Sequence, residues 1–276
     1  MAIRAVLTVL LLASLCSAGQ SGNRQKANII EIYHLNEGEG SLASGSLGKS
    51  TQAVITGAAW VTGKFGKSLS FDGTNDNVRI GGQTASYELT QYDQMLVSGW
   101  IKGPITANTT VISKLKLASG YRGWELSILT DLTNCTGFAG RMVSCILYWT
   151  TNTGMNVQSS STFSTSAFSK MEWYHIGFTY NGNGSAGSDS VRLFYNGKYA
   201  GKNCTNSETI GGEMTANGRE PFVGDRFFNV NENQATNVSI DDIVIMRIDN
   251  AATQPMQFTD GVMRKLYEDG KGAHSQ

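Results

Sequence analysis

The sequence predicts an all-β sandwich of antiparallel strands, and three observations support this fold class. Glycine accounts for 32 of the 276 residues, and serine, threonine and asparagine are frequent, which is typical of turn-rich chains. Strand-like runs alternate with turn signals from about residue 28 almost to the end of the chain. Only one segment, near the C-terminus, carries the start and stop signals of a helix. No linker or repeat divides the chain, so we predict one large sandwich.

The N-terminus has the pattern of an export signal. The basic residue Arg4 precedes an apolar run at residues 5–15, and small residues at 16–18 suit cleavage before Gly19. We therefore predict a signal peptide at residues 1–18 and a polar arm at residues 19–27. The run is shorter than the roughly 20 residues that cross a bilayer, so no membrane span is expected after cleavage; a retained anchor is the alternative. The mature chain is expected to be secreted, extracellular or at the cell surface, or periplasmic in a bacterium.

The elements follow within a single predicted domain at residues 28–270, with a tail at 271–276. The predicted strands lie in NIIEIYHL, QAVITGAAWVTGKFGKSLSFDGTNDNVRIG, QMLVSGWIKG, TTVISKLKL, GWELSILT, MVSCILYWTT, KMEWYHIGFTY, SVRLFYNGKYAG, EPFVGDRF and NVSIDDIVIMRID. QMLVSGWIKG is almost continuously apolar, which indicates a strand covered on both faces. Asn196-Gly197 favours a tight hairpin turn. The helix is predicted in FTDGVMRKLYEDGKG, with Thr259 or Asp260 as its cap and Gly270 at its end.

Five motifs, in order and with compatible spacing, resemble segments of laminin-G-like domains. They are WVTGKFGKSLSFDGTNDNVRIG, MLVSGWIK, WYHIGFTYNG with VRLFYNGKYAG, PFVGDR, and SIDDIVIMRI with GVMRKLY. The resemblance extends over about residues 32–267. It implies a concanavalin A-like jelly roll, in which two curved antiparallel sheets pack face to face, with a short C-terminal helix.

The resemblance also implies a structural calcium ion at the rim of the sandwich, where such domains often hold one. Calcium takes six to eight oxygen ligands. Asp72, Asn75 and Asp76 lie close together in FDGTNDN, and the last strand is expected to return near them with Asp241 or Asp242. We predict Asp72, Asn75, Asp76 and Asp242 as the ligands. The alternative is a turn whose side chains hydrogen-bond their own backbone.

The pattern of carboxylates and histidines argues against catalysis. Related jelly rolls include glycoside hydrolases, which need two carboxylates, usually on one strand as Glu-x-Asp-x-x-Glu. Glu125 stands alone on its predicted strand, and the Asp241-Asp242 pair precedes an apolar run. His34 and His175 both lie in strands, and no nucleophile elbow is present. We therefore predict a non-enzymatic protein; a glycoside hydrolase is the least favoured alternative.

Candidate ligand contacts lie in the middle of the chain. Carbohydrate sites combine aromatic stacking surfaces with directed polar groups. Tyr121, Arg122, Trp124 and Trp149 fall between the family motifs and are predicted to contact a ligand, with core packing as the alternative. Trp100 lies inside a family motif and is predicted to be buried.

Three cysteines remain after removal of the signal peptide. Cys135 and Cys145 are near enough in sequence to close one hairpin, which leaves Cys204 free or bonded to another chain. A pairing of either with Cys204 stays open. Five Asn-x-Ser/Thr sequons are glycosylation candidates in a eukaryotic secreted protein, at Asn108, Asn134, Asn183, Asn203 and Asn237.

The charge balance argues against polyanionic partners. The 22 basic and 22 acidic residues give zero formal net charge, so bulk electrostatics does not attract the chain to nucleic acid or anionic lipid. We expect a secreted or surface-exposed module that binds a glycan or an extracellular protein in adhesion or recognition. The alternative is a self-associating subunit of an extracellular coat, fibre or matrix, which the odd cysteine and the polar arm favour.

Overall fold

The computed structural model describes residues 28–45, 52–81, 87–90, 92–115, 123–129, 142–150, 153–158, 168–182, 190–200, 204–207, 218–225, 236–249 and 258–272, some of them by their backbone alone. The strands are β1 (Asn28–Tyr33), β2 (Leu42–Ala43), β3 (Ala53–Thr56), β4 (Ala59–Thr62), β5 (Lys67–Ser70), β6 (Asn77–Arg79), β7 (Gln94–Lys102), β8 (Thr109–Ser113), β9 (Gly123–Leu129), β10 (Met142–Thr150), β11 (Thr153–Gln158), β12 (Trp173–Asn181), β13 (Val191–Tyr195), β14 (Lys198–Tyr199), β15 (Cys204–Ser207), β16 (Phe222–Val223) and β17 (Ser239–Ile248). One helix, α1 (Asp260–Gly272), follows.

The described strands form two antiparallel sheets. The eight-stranded sheet has the order β14-β13-β12-β7-β17-β5-β4, and β1 also pairs with β17. The nine-stranded sheet has the order β15-β11-β10-β9-β8-β16-β6-β3-β2. Some strands that pair in the first sheet are distant in sequence. In its middle, β17 lies between β7 and β5.

Strand β17 pairs with three strands. β7 lies along one of its edges, and β5 and β1 share the other. Strand β17 pairs with β7 at residues 239–241 and 244–248, while Ser239 and Ile240 pair with β5 and residues 243–247 pair with β1. Asp241 and Asp242 lie where the partner changes. The register against β7 shifts there, and Asp242 has a φ of 46°, a left-handed conformation that is uncommon outside glycine and marks a bulge.

The main core fills the space between the two sheets. It contains Leu69, Phe71, Val97, Ile101, Ile176, Phe178, Ile240 and Ile243 from the first sheet and its loops, and Ile55, Val78, Ile112, Trp124, Leu126 and Leu147 from the second. A second apolar cluster lies on the opposite, outer face of the eight-stranded sheet, under α1. Its members are Ile32, Leu96, Phe194, Val244, Met246, Ile248, Phe258, Val262, Met263 and Leu266. The helix therefore covers one outer face of the sandwich.

The predicted fold class, two antiparallel sheets with a short C-terminal helix, is confirmed. QMLVSGWIKG forms β7, which is buried from Gln94 to Ile101 as its apolar run predicted. Asn196 and Gly197 turn the β13–β14 hairpin with φ angles of 47° and 74°, which match the predicted tight turn. The helix begins at Asp260 and extends two residues past the predicted end. Within the described parts of the chain, no helix is long and apolar enough to cross a bilayer.

Candidate functional site

A row of residues crosses every strand of the nine-stranded sheet on its outer face. Residues directly opposite one another in a ladder lie on the same face of a sheet. The pairings align, from one edge to the other, Leu42, Val54, Arg79, Phe222, Ser113, Glu125, Ile146, Asn156 and Asn206. We call these residues the polar row, because polar types form more than half of it. On the other sheet, α1 covers the outer face of β1, β7, β13 and β17.

The polar row is buried at its centre and exposed toward β6. Ser113 and Glu125 are buried, as is Ser127, which lies on the same face one step along β9. Arg79 is exposed, with 48% of its side chain accessible, and its Nη1 lies 3.4 Å from Oε1 of Glu220. The row therefore offers an accessible charged end that leads to a carboxylate held away from bulk water.

A buried ion pair lies at the end of β8, beside the row. The side chain of Lys114 is fully buried, and its Nζ lies 2.6 Å from Oε1 of Glu88. Burial lowers the pKa of Lys114, and the neighbouring Glu88 opposes that shift. A lysine this deep needs its counter-ion, because an unpaired buried charge is strongly unfavourable.

Arg219 adds a second cation next to this pair. Its Nη1 donates a hydrogen bond of 3.0 Å to the carbonyl of Leu115, and its guanidinium lies 5.7 Å from the ring centre of Phe222. Burial lowers the pKa of Arg219, while Asp225 and Glu220 act in the opposite direction. Arg79, Arg219 and Glu220 thus lie around Phe222, and such groups can give a polar ligand directed hydrogen bonds in both senses.

Of the four residues predicted to contact a ligand, the structure describes the side chain of Trp124 alone. Trp124 is fully buried on the inner side of β9, where its Nε1 donates to the carbonyl of Tyr87 at 2.8 Å and its ring contacts Phe178. The prediction of Trp124 as a ligand contact is corrected accordingly: it is a core residue. Tyr121 and Arg122 lie outside the described residues. Trp149 lies in β10, one residue after Tyr148, which is paired with Gly123; the structure describes its backbone only.

The cluster of Lys114, Glu88 and Arg219 was not predicted from the sequence. Lys114 directly follows the alternating run of β8 in TTVISKLKL, so its position at a strand end was a usable signal. Glu88 and Arg219 come from segments far apart in the chain, and no local pattern links them to β8.

The predicted calcium segment forms a turn that binds its own backbone. The N–H of Asp72 donates to Oδ2 of Asp76 at 2.8 Å, and the N–H of Thr74 donates to Oδ1 of Asp72 at 2.7 Å. Asp76 is buried against Gly57, while Asn75 is exposed. These contacts match the alternative reading of an Asx-rich turn. No group of three or more acidic, histidine or cysteine side chains close enough for a metal ion occurs among the described residues.

Asp242 is not brought to this turn. The turn lies against Asn237, because a Cβ on Gly73 would be 3.0 Å from that of Asn237. Asp242 is five residues further along β17, which corresponds to about 16 Å of extended strand. Its Oδ1 instead lies 2.6 Å from Nδ1 of His34. The four predicted calcium ligands therefore do not form one site, and a calcium site at Asp72, Asn75 and Asp76 stays a prediction.

Asp241 is the buried member of the acidic pair. Its Oδ2 accepts the N–H of Phe65 at 3.0 Å, and its Oδ1 accepts the N–H of Asp242 at 2.9 Å. Burial raises the pKa of Asp241 to about 8, and the neighbouring Asp242 adds to the shift, while the backbone N–H donors oppose it. The side chain fastens the loop at residues 63–66 to β17.

The remaining predicted positions are only partly described. Cys145 is buried on the inner side of β10, where it forms no disulfide with another described cysteine, and burial raises the pKa of its thiol. Cys135, Asn134, Asn183 and Asn203 lie outside the described residues, and the side chain of Cys204 is not described. The Cys135–Cys145 disulfide therefore stays a prediction. Of the sequons, Asn237 is exposed before β17 and Asn108 is half-buried before β8.

Comparison with known sequences places the chain in no family. No protein-family model matches it, and no curated protein matches it. The laminin-G-like motifs therefore remain a resemblance.

Comparison with solved structures finds the same fold in the binding domains of clostridial toxins. The binding domain of Paraclostridial Mosquitocidal Protein 1 aligns with a TM-score of 0.57 at 15% identity, over 87% of this chain and 52% of that one. The binding domain of botulinum neurotoxin DC, solved with rat synaptotagmin II, gives 0.55 at 14% identity, over 88% and 51%. Botulinum neurotoxin type C, whose cell entry is dependent upon interaction with two ganglioside molecules, gives 0.55 at 13% identity, over 88% and 51%. The chain spans about half the length of these domains.

Proposed function

We propose that the chain is an exported, non-enzymatic module of the laminin-G-like kind that binds a carbohydrate or a protein on the outer face of its nine-stranded sheet. The observation that carries the proposal is the polar row, with Arg79 exposed on β6 and Glu125 buried on β9. On the opposite sheet, α1 packs over apolar residues of the outer face, among them Leu96, Phe194 and Met246.

The chemistry of this face suits a polar ligand. Sugar hydroxyls both donate and accept hydrogen bonds, so a site for them needs carboxylates beside cations and amides. Arg79, Glu220 and Arg219 supply such groups next to the ring of Phe222, and a ring face can stack on a sugar.

The toxin domains with the same fold give this proposal a context. They are binding domains rather than catalytic domains, and two of them are described with synaptotagmin II or gangliosides as partners. A glycan or a protein surface is therefore the class of ligand to test first.

The test is binding by the purified chain to an array of neutral, sialylated and sulfated glycans, together with capture of extracellular proteins. The affinity of the best ligand is then measured by titration calorimetry for Arg79→Ala. We expect at least a tenfold loss of affinity, because a hydrogen bond to a charged group contributes about 1.5–3 kcal/mol.

Arg192→Ala is the matched control. Arg192 is also a surface arginine in an ion pair, with its Nη2 2.8 Å from Oδ2 of Asp260, but it belongs to the other sheet. Its affinity should equal that of the wild-type protein. Equal losses in both variants, or a loss only in Arg192→Ala, would place the binding site elsewhere.

We also propose calcium as a ligand of the turn at Asp72, Asn75 and Asp76, in a structural role. One oxygen of Asp72 and one of Asp76 already accept backbone N–H groups, so an ion would use the remaining carboxylate and amide oxygens together with backbone carbonyls. Calorimetric titration with Ca²⁺ should give a heat that Asp72→Asn removes and Asp242→Asn does not. Absence of heat in the wild-type protein would reject this site.

A further inference from the structure

A polar and aromatic cluster lies beside the apolar cluster beneath α1. The ladders align His175, Trp100 and Asp241 on the outer face of the eight-stranded sheet. Tyr267 of the helix stacks on Trp100, with ring centres 5.6 Å apart and an interplanar angle of 20°, and it lies 6.2 Å from the ring of His175. The helix thus rests partly on a histidine rather than on apolar side chains alone.

His175 is enclosed by aromatic rings, and no carboxylate contacts it in the described part of the chain. It is buried against Trp100, with ring centres 5.2 Å apart. Its Nδ1 has no hydrogen-bond partner within the part of the chain that the structure describes. Burial alone lowers the pKa of His175 to about 3, so the imidazole is neutral while the helix is in place.

The titratable groups around His175 do not neutralise an imidazolium. The ammonium of Lys64 lies 4.9 Å from the Trp100 ring and carries the same sign of charge. Asp241 lies beyond Trp100 and is kept protonated by burial. The phenol of Tyr267, on the helix itself, is the third titratable neighbour. A proton on His175 would therefore face an aromatic wall and a nearby cation.

Side chains rather than strand pairing hold α1 in place. Met263 packs over Gly177, Tyr267 packs against Gly197, and Arg192 forms an ion pair with Asp260. Because the helix follows the last strand and belongs to neither sheet, it can lift without breaking a ladder. Local opening of such terminal elements costs less than global unfolding.

We propose that α1 is an acid-sensitive latch, in which protonation of His175 displaces Tyr267 and lifts the helix from the eight-stranded sheet while both sheets persist. This device is independent of any ligand on the polar row. An open state with an ordinary histidine pKa of 6.5 gains population over the closed state as the pH falls. The open population rises about 25-fold from pH 7 to pH 5 and about 200-fold from pH 7 to pH 4.

Hydrogen exchange of the full chain tests the proposal. Amide protection in α1 and in β12 is followed from pH 7 to pH 4 and corrected for the intrinsic pH dependence of exchange. We expect opening of α1 to increase about 25-fold at pH 5, while the amides of β12 stay protected. Simultaneous loss of protection in α1 and β12 would show global unfolding and overturn the latch.

Two neutral replacements isolate the histidine. His175→Phe keeps the aromatic packing and should abolish the acid response of α1, and His175→Asn should do the same if the phenylalanine variant folds poorly. His34→Phe is the matched control, because His34 is a half-exposed histidine bound to Asp242, and it should keep the response. An unchanged response in both His175 variants would overturn the proposal.

Discussion

Replacing Asp241 by asparagine should remove a loss of stability that the wild-type protein undergoes as the pH rises. Asp241 is fully buried and accepts backbone N–H groups from Phe65 and Asp242. Burial raises its pKa to about 8 from the ordinary 3.8. Below pH 4 the folded and unfolded states both hold the proton, so the contribution of the group is fully present there. It is lost as the pH rises toward 8, because only the unfolded state ionises.

The magnitude follows from the size of the shift. Each pH unit in this window removes about 1.4 kcal/mol, which gives about 4 kcal/mol between pH 4 and pH 7. A domain with a total stability of about 5–15 kcal/mol would register such a loss clearly. Asparagine does not titrate, but its amide NH₂ cannot accept one of the two N–H groups, at a cost of about 1–3 kcal/mol. The variant should gain stability relative to the wild-type protein as the pH rises and be the more stable at pH 8, with a crossing between about pH 4.5 and pH 6.

Urea denaturation at half-unit steps from pH 4.5 to pH 8.5 measures both curves. The difference between the two proteins isolates Asp241, because His175 titrates equally in each. A difference that is constant with pH would refute the reasoning. A wild-type protein that gains stability relative to the variant as the pH rises would show that the N–H donors dominate and that Asp241 is ionised in the folded state.

Three further predictions concern packing and charge. Gly197→Ala should lower the free energy of unfolding by about 1–2 kcal/mol more than Gly40→Ala, as measured in thermal melts. Both glycines have positive φ, but only an added Cβ at Gly197 meets another side chain, Tyr267, at 2.8 Å. Lys114→Met should destabilise by about 3–5 kcal/mol in chemical denaturation, and the double variant with Glu88→Leu should recover most of that loss. Trp124→Phe should destabilise by about 1–3 kcal/mol and leave ligand affinity unchanged; weaker binding by a fully folded variant would contradict its placement in the core.

Local chemistry in the sequence predicted the fold well. The uninterrupted apolar run of β7 indicated burial on both faces, and the Asn196-Gly197 pair indicated a turn that requires positive φ. Alternation in the last strand was also correct after its bulge: Ile243 and Ile245 lie in the main core, and Val244 and Met246 lie under α1. These features depend on neighbouring residues, so a single sequence contains them.

The site was harder to predict, because it depends on partners distant in the chain. Alternation says that Trp124 and Glu125 point in opposite directions, but it does not say which of them faces inward; the structure places Trp124 inside. The bulge at Asp242 has no local signature, and it directs that side chain to His34 rather than to the Asp72 turn. Likewise, the pairing of Lys114 with Glu88 appears only when loops from separate regions meet.

The shared side of β17 has a consequence for the order in which the protein can be assembled during synthesis. β1 is made some 200 residues before β17, yet the two strands pair, as in the register of Ile32 with Val244. One edge of β5 and one edge of β7 also pair with β17. The middle of the eight-stranded sheet therefore stays open until β17, at Ser239–Ile248, has been made. Such non-local pairing slows folding, and a chain that ends before Ser239 would leave three strands with unpaired edges that can aggregate.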